Sequence, residues 1–149
     1  MNKKAFTMTE LIVIIIIIGV ILIFALPNVT STMERNKKDV MINDAKDFVE
    51  KVKSCLMVNE CQYPTTTGNS GAKSFKLSDV DAREEIKKSP FGNNYNRTSS
   101  VVKVSLNNSS GIKTYKYEIT LNDGKYKISG KTIDDLNSDS KYSYVTLNN

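Results

Sequence analysis

The most constraining feature of the sequence is a long apolar run from Phe6 to Leu26, whose only formal charge is Glu10. The run is long enough to cross a bilayer with some tilt. In lipid, a helix is the conformation in which a single segment satisfies its own backbone hydrogen bonds, even when β-branched isoleucine dominates. We therefore expect a membrane-spanning helix over residues 6–26, and we expect Pro27 to kink the helix or to end it.

Two other interpretations of the apolar run remain open at this point. A secretory signal peptide also has a basic start and an apolar middle, but it needs small residues before its cleavage site. The nearest candidate site, Ile23-Phe24-Ala25, is poor at its first position. A plain membrane anchor is the second alternative.

Glu10 has a local explanation and a functional one. Thr7 and Glu10 have the spacing of a capping box, which places the carboxylate near the positive end of the helix dipole. A carboxylate at the end of a membrane helix is also costly, and such residues are functional hypotheses by default. One carboxylate can serve both purposes.

The stretch "KKAFTMTELIV" resembles the leader and cleavage site of type IV prepilins and pseudopilins. It has a basic leader, a small residue, Phe-Thr, and a glutamate five residues into the mature chain. The resemblance implies that a membrane prepilin peptidase cleaves between Ala5 and Phe6 and that Phe6 is then N-methylated. Ala5 stands where the family usually has Gly, and Ala occurs in some Gram-positive relatives, notably competence pseudopilins. The expected division is a leader over 1–5, a filament-core helix over 6–26 and a globular domain over 27–149.

The resemblance also implies a function. The chain would be a subunit of a Gram-positive type IV pilus or a secretion or competence pseudopilus, in which Glu10 of an incoming subunit pairs with the Phe6 amine of a neighbour. Its partners would be other pilin subunits, the prepilin peptidase, the pilus assembly platform and the cytoplasmic membrane. It would be a single-pass membrane protein before assembly and part of a cell-surface filament afterwards.

Helical periodicity resumes after Pro27. Apolar residues recur at spacings of three and four, which gives one apolar stripe between charged faces. The members of the stripe are Met41, Ala45, Phe48, Val52 and Cys55. This amphipathic second half must bury its stripe, and a small sheet is the obvious partner.

Alternating runs downstream predict that sheet. They are "SVVKVSL", "IKTYKYEITL" and "KYKIS", with a hairpin signal at Asp123-Gly124 and a last strand in "YSYVTL". The fold class is therefore α+β: a long N-terminal helix, transmembrane in its first half and amphipathic in its second, packed on a small antiparallel sheet. This is also the pilin architecture.

The segment between helix and sheet is predicted to be mostly irregular. Residues 61–75 are rich in turn formers and should form a surface loop. Residues 77–88 should form a short helix with Ser78 as its N-cap. "SPFGNNY", from Ser89 to Tyr95, resembles the Asp-Pro-Trp-Gly-Asn-Pro-Tyr stretch of secretion pseudopilins, which implies a structural turn with buried aromatic residues before the first strand.

The two cysteines, Cys55 and Cys61, are too few for a disulfide framework or a four-thiolate zinc site. If the domain lies outside the cytoplasmic membrane, a disulfide between them can persist. We favour that bridge over a buried Cys55 with a free Cys61.

The composition argues against catalysis. There is no histidine, which excludes histidine bases and histidine-ligated metals. No catalytic constellation is visible, so we expect no enzyme, cofactor or metal site, and we interpret the oxygen-rich run from Asp134 to Ser140 as a solvated turn.

Two further functions stay open. Tyrosines alternate with lysines in the sheet, so DNA is a candidate partner if the rings share an exposed face, as in a competence pseudopilin for DNA uptake. The more ordinary account is an amphipathic sheet with one packed face. The alternating residues of the sheet are Tyr115, Tyr117, Tyr126, Tyr142 and Tyr144 with Lys113, Lys116, Lys125, Lys127 and Lys141.

The alternative from another class of function is a membrane-tethered extracellular binding domain that never polymerises.

Overall fold

A computed structural model describes residues 7–148 of the chain, with the backbone alone described at residues 25–28. The fold is α+β, as predicted, with an N-terminal helix packed on a five-stranded antiparallel sheet. Two short 3-10 helices, Asn69–Gly71 and Lys141–Tyr144, complete the order. The main elements are α1 (Met8–Met57), β1 (Lys73–Lys76), α2 (Leu77–Val80), β2 (Val101–Ser109), β3 (Ile112–Asn122), β4 (Tyr126–Lys131), α3 (Ile133–Asn137) and β5 (Thr146–Leu147).

The described chain divides within α1 into two units, one ending at Asn36 and one beginning at Lys37. Pro27 does not end the helix, because the backbone is helical on both sides of it and through it. The second unit contains the sheet and the hydrophobic core.

The core of the second unit forms where the amphipathic half of α1 meets the inner face of the sheet. The predicted stripe is buried at four of its five positions, and Cys55 is only half-buried because Leu56 takes the last core position. The sheet contributes side chains at alternate positions, as a one-sided sheet requires. They are Val102, Val104, Leu106, Ile119, Leu121 and Ile128.

The sheet is a simple meander in which each strand pairs with the next along the chain. The three central strands were predicted, but β1 was not, because its four residues follow a run of turn formers. Pairing of Phe75 with Val102 draws this segment into the sheet. The expected last strand is mostly wrong: β5 has only the residues Thr146–Leu147, after the 3-10 helix Lys141–Tyr144.

The helix predicted over residues 77–88 is also wrong beyond its first turn. α2 ends at Val80, and Lys76 rather than Ser78 occupies its N-cap, without a side-chain hydrogen bond. The following turn is organised by Asp81, whose carboxylate accepts hydrogen bonds from the backbone N–H groups of Glu85 (3.1 Å) and Ile86 (3.0 Å). Hydrogen bonds from nearby backbone N–H groups to this side chain therefore compete with helix formation here.

The two turns singled out in the sequence are present. At the predicted hairpin, Gly124 has a φ of 89°, and Oδ1 of Asp123 accepts the N–H of Lys125 at 2.9 Å. In the turn Ser89–Tyr95, the N–H of Ser89 donates to the carbonyl of Asn93 at 2.8 Å. The expected aromatic packing is there, because Phe91 stacks on Tyr126 with 3.8 Å between ring centroids.

Candidate assembly site

Glu10 lies in the first turn of α1 and caps it. The Thr7 N–H donates to Oε2 of Glu10 at 2.8 Å, and the Glu10 N–H donates to Oγ1 of Thr7 at 3.3 Å. The Thr7 hydroxyl also donates to the same carboxylate oxygen at 2.7 Å. The capping interpretation of Glu10 is therefore confirmed. A carboxylate has about four lone-pair sites, so capping is compatible with a further ion pair.

The first half of α1 presents apolar side chains on every face. Between Leu11 and Phe24, the large apolar side chains are 41% to 73% exposed, with Ile14 the least and Phe24 the most exposed. Gly19 has open space where a Cβ would project. A helix that is hydrophobic all round is normally buried in a core or in a membrane. These side chains therefore need an apolar environment that the described chain does not itself supply.

The two halves of α1 differ in what they bury. In the second half, one stripe is buried at four of its five positions and the opposite side is charged, whereas in the first half the side chains share similar exposure. No single helix of the described chain is long and apolar enough to count as a membrane span, although Met8–Phe24 and Val29–Met57 together meet a length and composition criterion as a bent pair.

The predicted processing residues, Ala5 and Phe6, lie outside the described residues. The ion pair expected between the Phe6 amine and Glu10 of another subunit joins two chains, and it remains a prediction.

Cys55 and Cys61 form a disulfide with 5.2 Å between their Cα atoms. The bridge lies where α1 ends, and the N–H groups of Glu60 and Cys61 both donate to the carbonyl of Cys55 at 3.1 Å. Asn59, inside the closed loop, has a φ of 60°, a left-handed conformation that asparagine tolerates. The bridge thus ties the end of the helix to the chain that leaves it.

The sheet tyrosines do not form a common exposed platform. Tyr117, Tyr126, Tyr142 and Tyr144 pack against the hydrophobic core. Tyr115 contacts Tyr63, with 4.6 Å between ring centroids. In β3, Lys116 lies on the opposite face of the strand from Tyr115 and Tyr117, which matches the ordinary account of an amphipathic sheet.

Three carboxylates that were not predicted as site residues have partners that stabilise the fold. The side chain of Asp81 is fully buried and forms ion pairs with Lys51 at 3.2 Å and with Arg97 at 3.1 Å. Asp39 pairs with Lys141 at 2.8 Å, and Asp44 accepts a hydrogen bond from Tyr95. Sequence spacing carried no signal for these contacts, since each joins residues that are distant along the chain.

Within residues 7–148, no group of three or more cysteine, aspartate or glutamate side chains is arranged to hold a metal ion. The run from Asp134 to Ser140, interpreted from sequence as a solvated turn, instead begins inside α3. That helix starts with a capping box, in which the Asp135 N–H donates to Oγ1 of Thr132 at 3.2 Å and the Thr132 N–H donates to the Asp135 carboxylate at 2.8 Å.

Comparison with known proteins gives no match: no protein family model, curated protein or solved structure is similar to this chain.

Proposed function

We propose that this chain is a structural subunit of a type IV pilus or pseudopilus. A prepilin peptidase cleaves it between Ala5 and Phe6 and methylates Phe6, and the product polymerises through its N-terminal helix. The observation that carries the proposal is the helix surface from Leu11 to Phe24, which is apolar on every face and is preceded by a capped carboxylate, Glu10.

Before assembly, residues 6–26 anchor the chain in the cytoplasmic membrane. Lipid covers the apolar side chains there, which water would leave exposed at a cost of about 25 cal/mol for each Å² of apolar surface. In the filament, the same side chains pack against the helices of neighbouring subunits. The segment exchanges one apolar environment for another, so the exchange needs little change in hydration.

Glu10 guides this exchange. Cleavage creates a new amine at Phe6, and a lone charge in an apolar fibre core is strongly unfavourable. Glu10 of an incoming subunit supplies the opposite charge to the Phe6 amine of a neighbour. The globular domain, residues 27–149, covers the outside of the cell-surface filament.

The mass of the mature protein tests the processing step. We expect the intact mass to correspond to loss of Met1–Ala5 with gain of one methyl group. A full-length mass, or cleavage near Ala25, would contradict the proposal and would favour a tethered binding domain or a secreted protein.

Two substitutions separate the assembly role of Glu10 from its capping role. Glu10→Gln keeps a side chain that can complete a capping box but removes the charge, whereas Glu10→Ala removes both. We expect normal cleavage and few filaments for both variants by electron microscopy of sheared cell surfaces. Wild-type filament numbers for Glu10→Gln would show that the charge is not needed.

A further inference from the structure

The outer face of the sheet, turned away from α1, is basic. Register partners share a face, and the inner face is defined by buried residues such as Val102 and Ile119. Together the strands carry seven lysines and one acidic residue, Glu118. Four of the lysines lie on the outer face, which we call the basic face: Lys76, Lys103, Lys116 and Lys127.

Little of this positive charge is neutralised within the domain. Glu118 lies on the same face and pairs with Lys116 at 2.7 Å. Lys103 donates to the side-chain carbonyl of Asn69 at 3.2 Å, which leaves its charge uncompensated. Lys76 and Lys127 form no ion pair within residues 7–148. Four lysines and one glutamate give the face a formal charge of about +3.

A groove of opposite charge lies between α1 and the chain from Asp79 to Ile86. Val58, 63% exposed, and Val80 form an apolar part of its lining. Seven carboxylates and two cations line this acidic groove, and Lys53 and Arg97 form ion pairs with two of the carboxylates, which leaves a formal charge of about −3. The lining residues are Asp44, Asp47, Glu50, Glu60, Asp79, Asp81 and Glu85, with Lys51 and Arg83.

The carboxylates of the groove differ in whether they form ion pairs within the domain. Asp81 is buried and paired with Lys51 and Arg97, so its charge is neutralised within the domain. Asp47, Glu60 and Asp79 are exposed and carry no ion pair within the described part of the chain. Their negative charge is therefore available to another molecule.

We propose that the basic face of one copy of this chain docks on the acidic groove of the next copy in the filament. This inference rests on the proposed function, because it requires that the chain polymerises. The two surfaces share no residue, so one copy uses both at once. A contact between two different surfaces of identical subunits is heterologous, and it generates an open filament when the rotation between subunits does not close a ring.

Charge complementarity favours a second copy over nucleic acid as the partner. The acidic groove is on the same chain and has the opposite sign, whereas four of the five tyrosines that would stack on bases pack against the core. Solvent-exposed charge pairs add modest affinity and are screened by salt. Their role here is to select the orientation in which subunits meet, while the apolar helices supply most of the binding energy.

Charge reversal tests the contact in processed, full-length protein. We expect Lys76→Glu with Lys127→Glu, or Asp47→Lys with Asp79→Lys, to raise the critical concentration for assembly about tenfold at low salt. Combining the four substitutions in one chain leaves a formal charge of about −1 on the basic face and about +1 in the groove, a weaker attraction with reversed signs, so it should return the critical concentration part of the way towards the wild-type value. The matched control is Lys88→Glu with Lys125→Glu, two exposed lysines outside both surfaces.

The outcomes separate this inference from the proposed function. Wild-type assembly with an unchanged critical concentration in both reversal variants would overturn the docking contact and leave the pilin proposal standing. Failure of the wild-type processed chain to polymerise would overturn both. If the lysine variant assembles normally but loses retention of duplex DNA, the basic face belongs to nucleic acid and the docking contact is wrong.

Discussion

The hydroxyl of Tyr95 donates a 2.7 Å hydrogen bond to Oδ2 of Asp44 and thereby joins the turn Ser89–Tyr95 to α1. Burial raises the pKa of Asp44, and burial together with the Asp44 carboxylate raises the pKa of Tyr95. The phenol therefore stays protonated at neutral pH, where it donates to the aspartate. Sequence resemblance had suggested a structural turn here, and this bond is how the turn is attached to the helix.

Tyr95→Phe should lower the free energy of unfolding by about 1.5–3 kcal/mol, the usual range for a hydrogen bond to a charged group. The ring still fills its buried position, while Asp44 stays half-buried without its donor. Urea denaturation of the full-length chain in detergent, followed by tyrosine near-UV circular dichroism, measures the change. Asp44→Asn is the partner variant, and additive losses in the double variant would show that the bond contributes nothing.

Asp81 should make the second unit acid-sensitive. Burial by itself would raise the pKa of Asp81, but hydrogen bonds from the Ile86 N–H, Lys51 and Arg97 outweigh burial and hold the pKa below its ordinary value. A carboxyl group with a depressed folded pKa stabilises the fold above its unfolded pKa, about 4, and loses that contribution as the pH falls through the folded value. Unfolding free energy measured from pH 7 downward should therefore decline below about pH 4.

Asp81→Asn is the control for that acid sensitivity. It should cost about 2–4 kcal/mol at pH 7, because Lys51 and Arg97 lose their carboxylate, and it should flatten the acid part of the pH profile. An Asn variant with the same pH dependence as wild type would assign the acid sensitivity to other carboxylates.

The disulfide should stabilise the end of α1. Reduction, or Cys55→Ser with Cys61→Ser, should lower the free energy of unfolding by about 2–3 kcal/mol in the chain-entropy model. The comparison is between urea unfolding of oxidised and reduced wild type, with thiol titration to verify each state. In the double-serine variant, a reducing agent should have no effect; equal stability of both wild-type states would refute a stabilising role.

Substitutions at two phenylalanines test whether the two halves of α1 have separate roles. Phe48 is fully buried and Phe24 is 73% exposed. Phe48→Ala should destabilise the second unit by about 3–5 kcal/mol through loss of buried apolar contacts and creation of a cavity. Phe24→Ala should leave its unfolding unchanged, since that side chain belongs to the other unit. Equal effects of the two substitutions would contradict the separate roles that we assign to the two halves.

The amphipathic half of α1, the three central strands and the capping box at Thr7 and Glu10 could all be predicted because each depends on residues close in sequence. Periods of about 3.6 and 2 determine which side chains share a face, and a capping box needs only a spacing of three. The contrast between the two halves of α1 follows from the same local rule, because one half has a charged face and the other does not.

Strand β1, the early end of α2 and the two charged surfaces depend on the tertiary structure. β1 exists because Phe75 pairs with Val102, and the helix expected over residues 77–88 stops early because Asp81 binds its own downstream backbone together with Lys51 and Arg97. The basic face and the acidic groove likewise arise from residues far apart along the chain. Local periodicity carries no information about such partners, since a buried ion pair or a strand edge is selected by the surfaces that folding brings together.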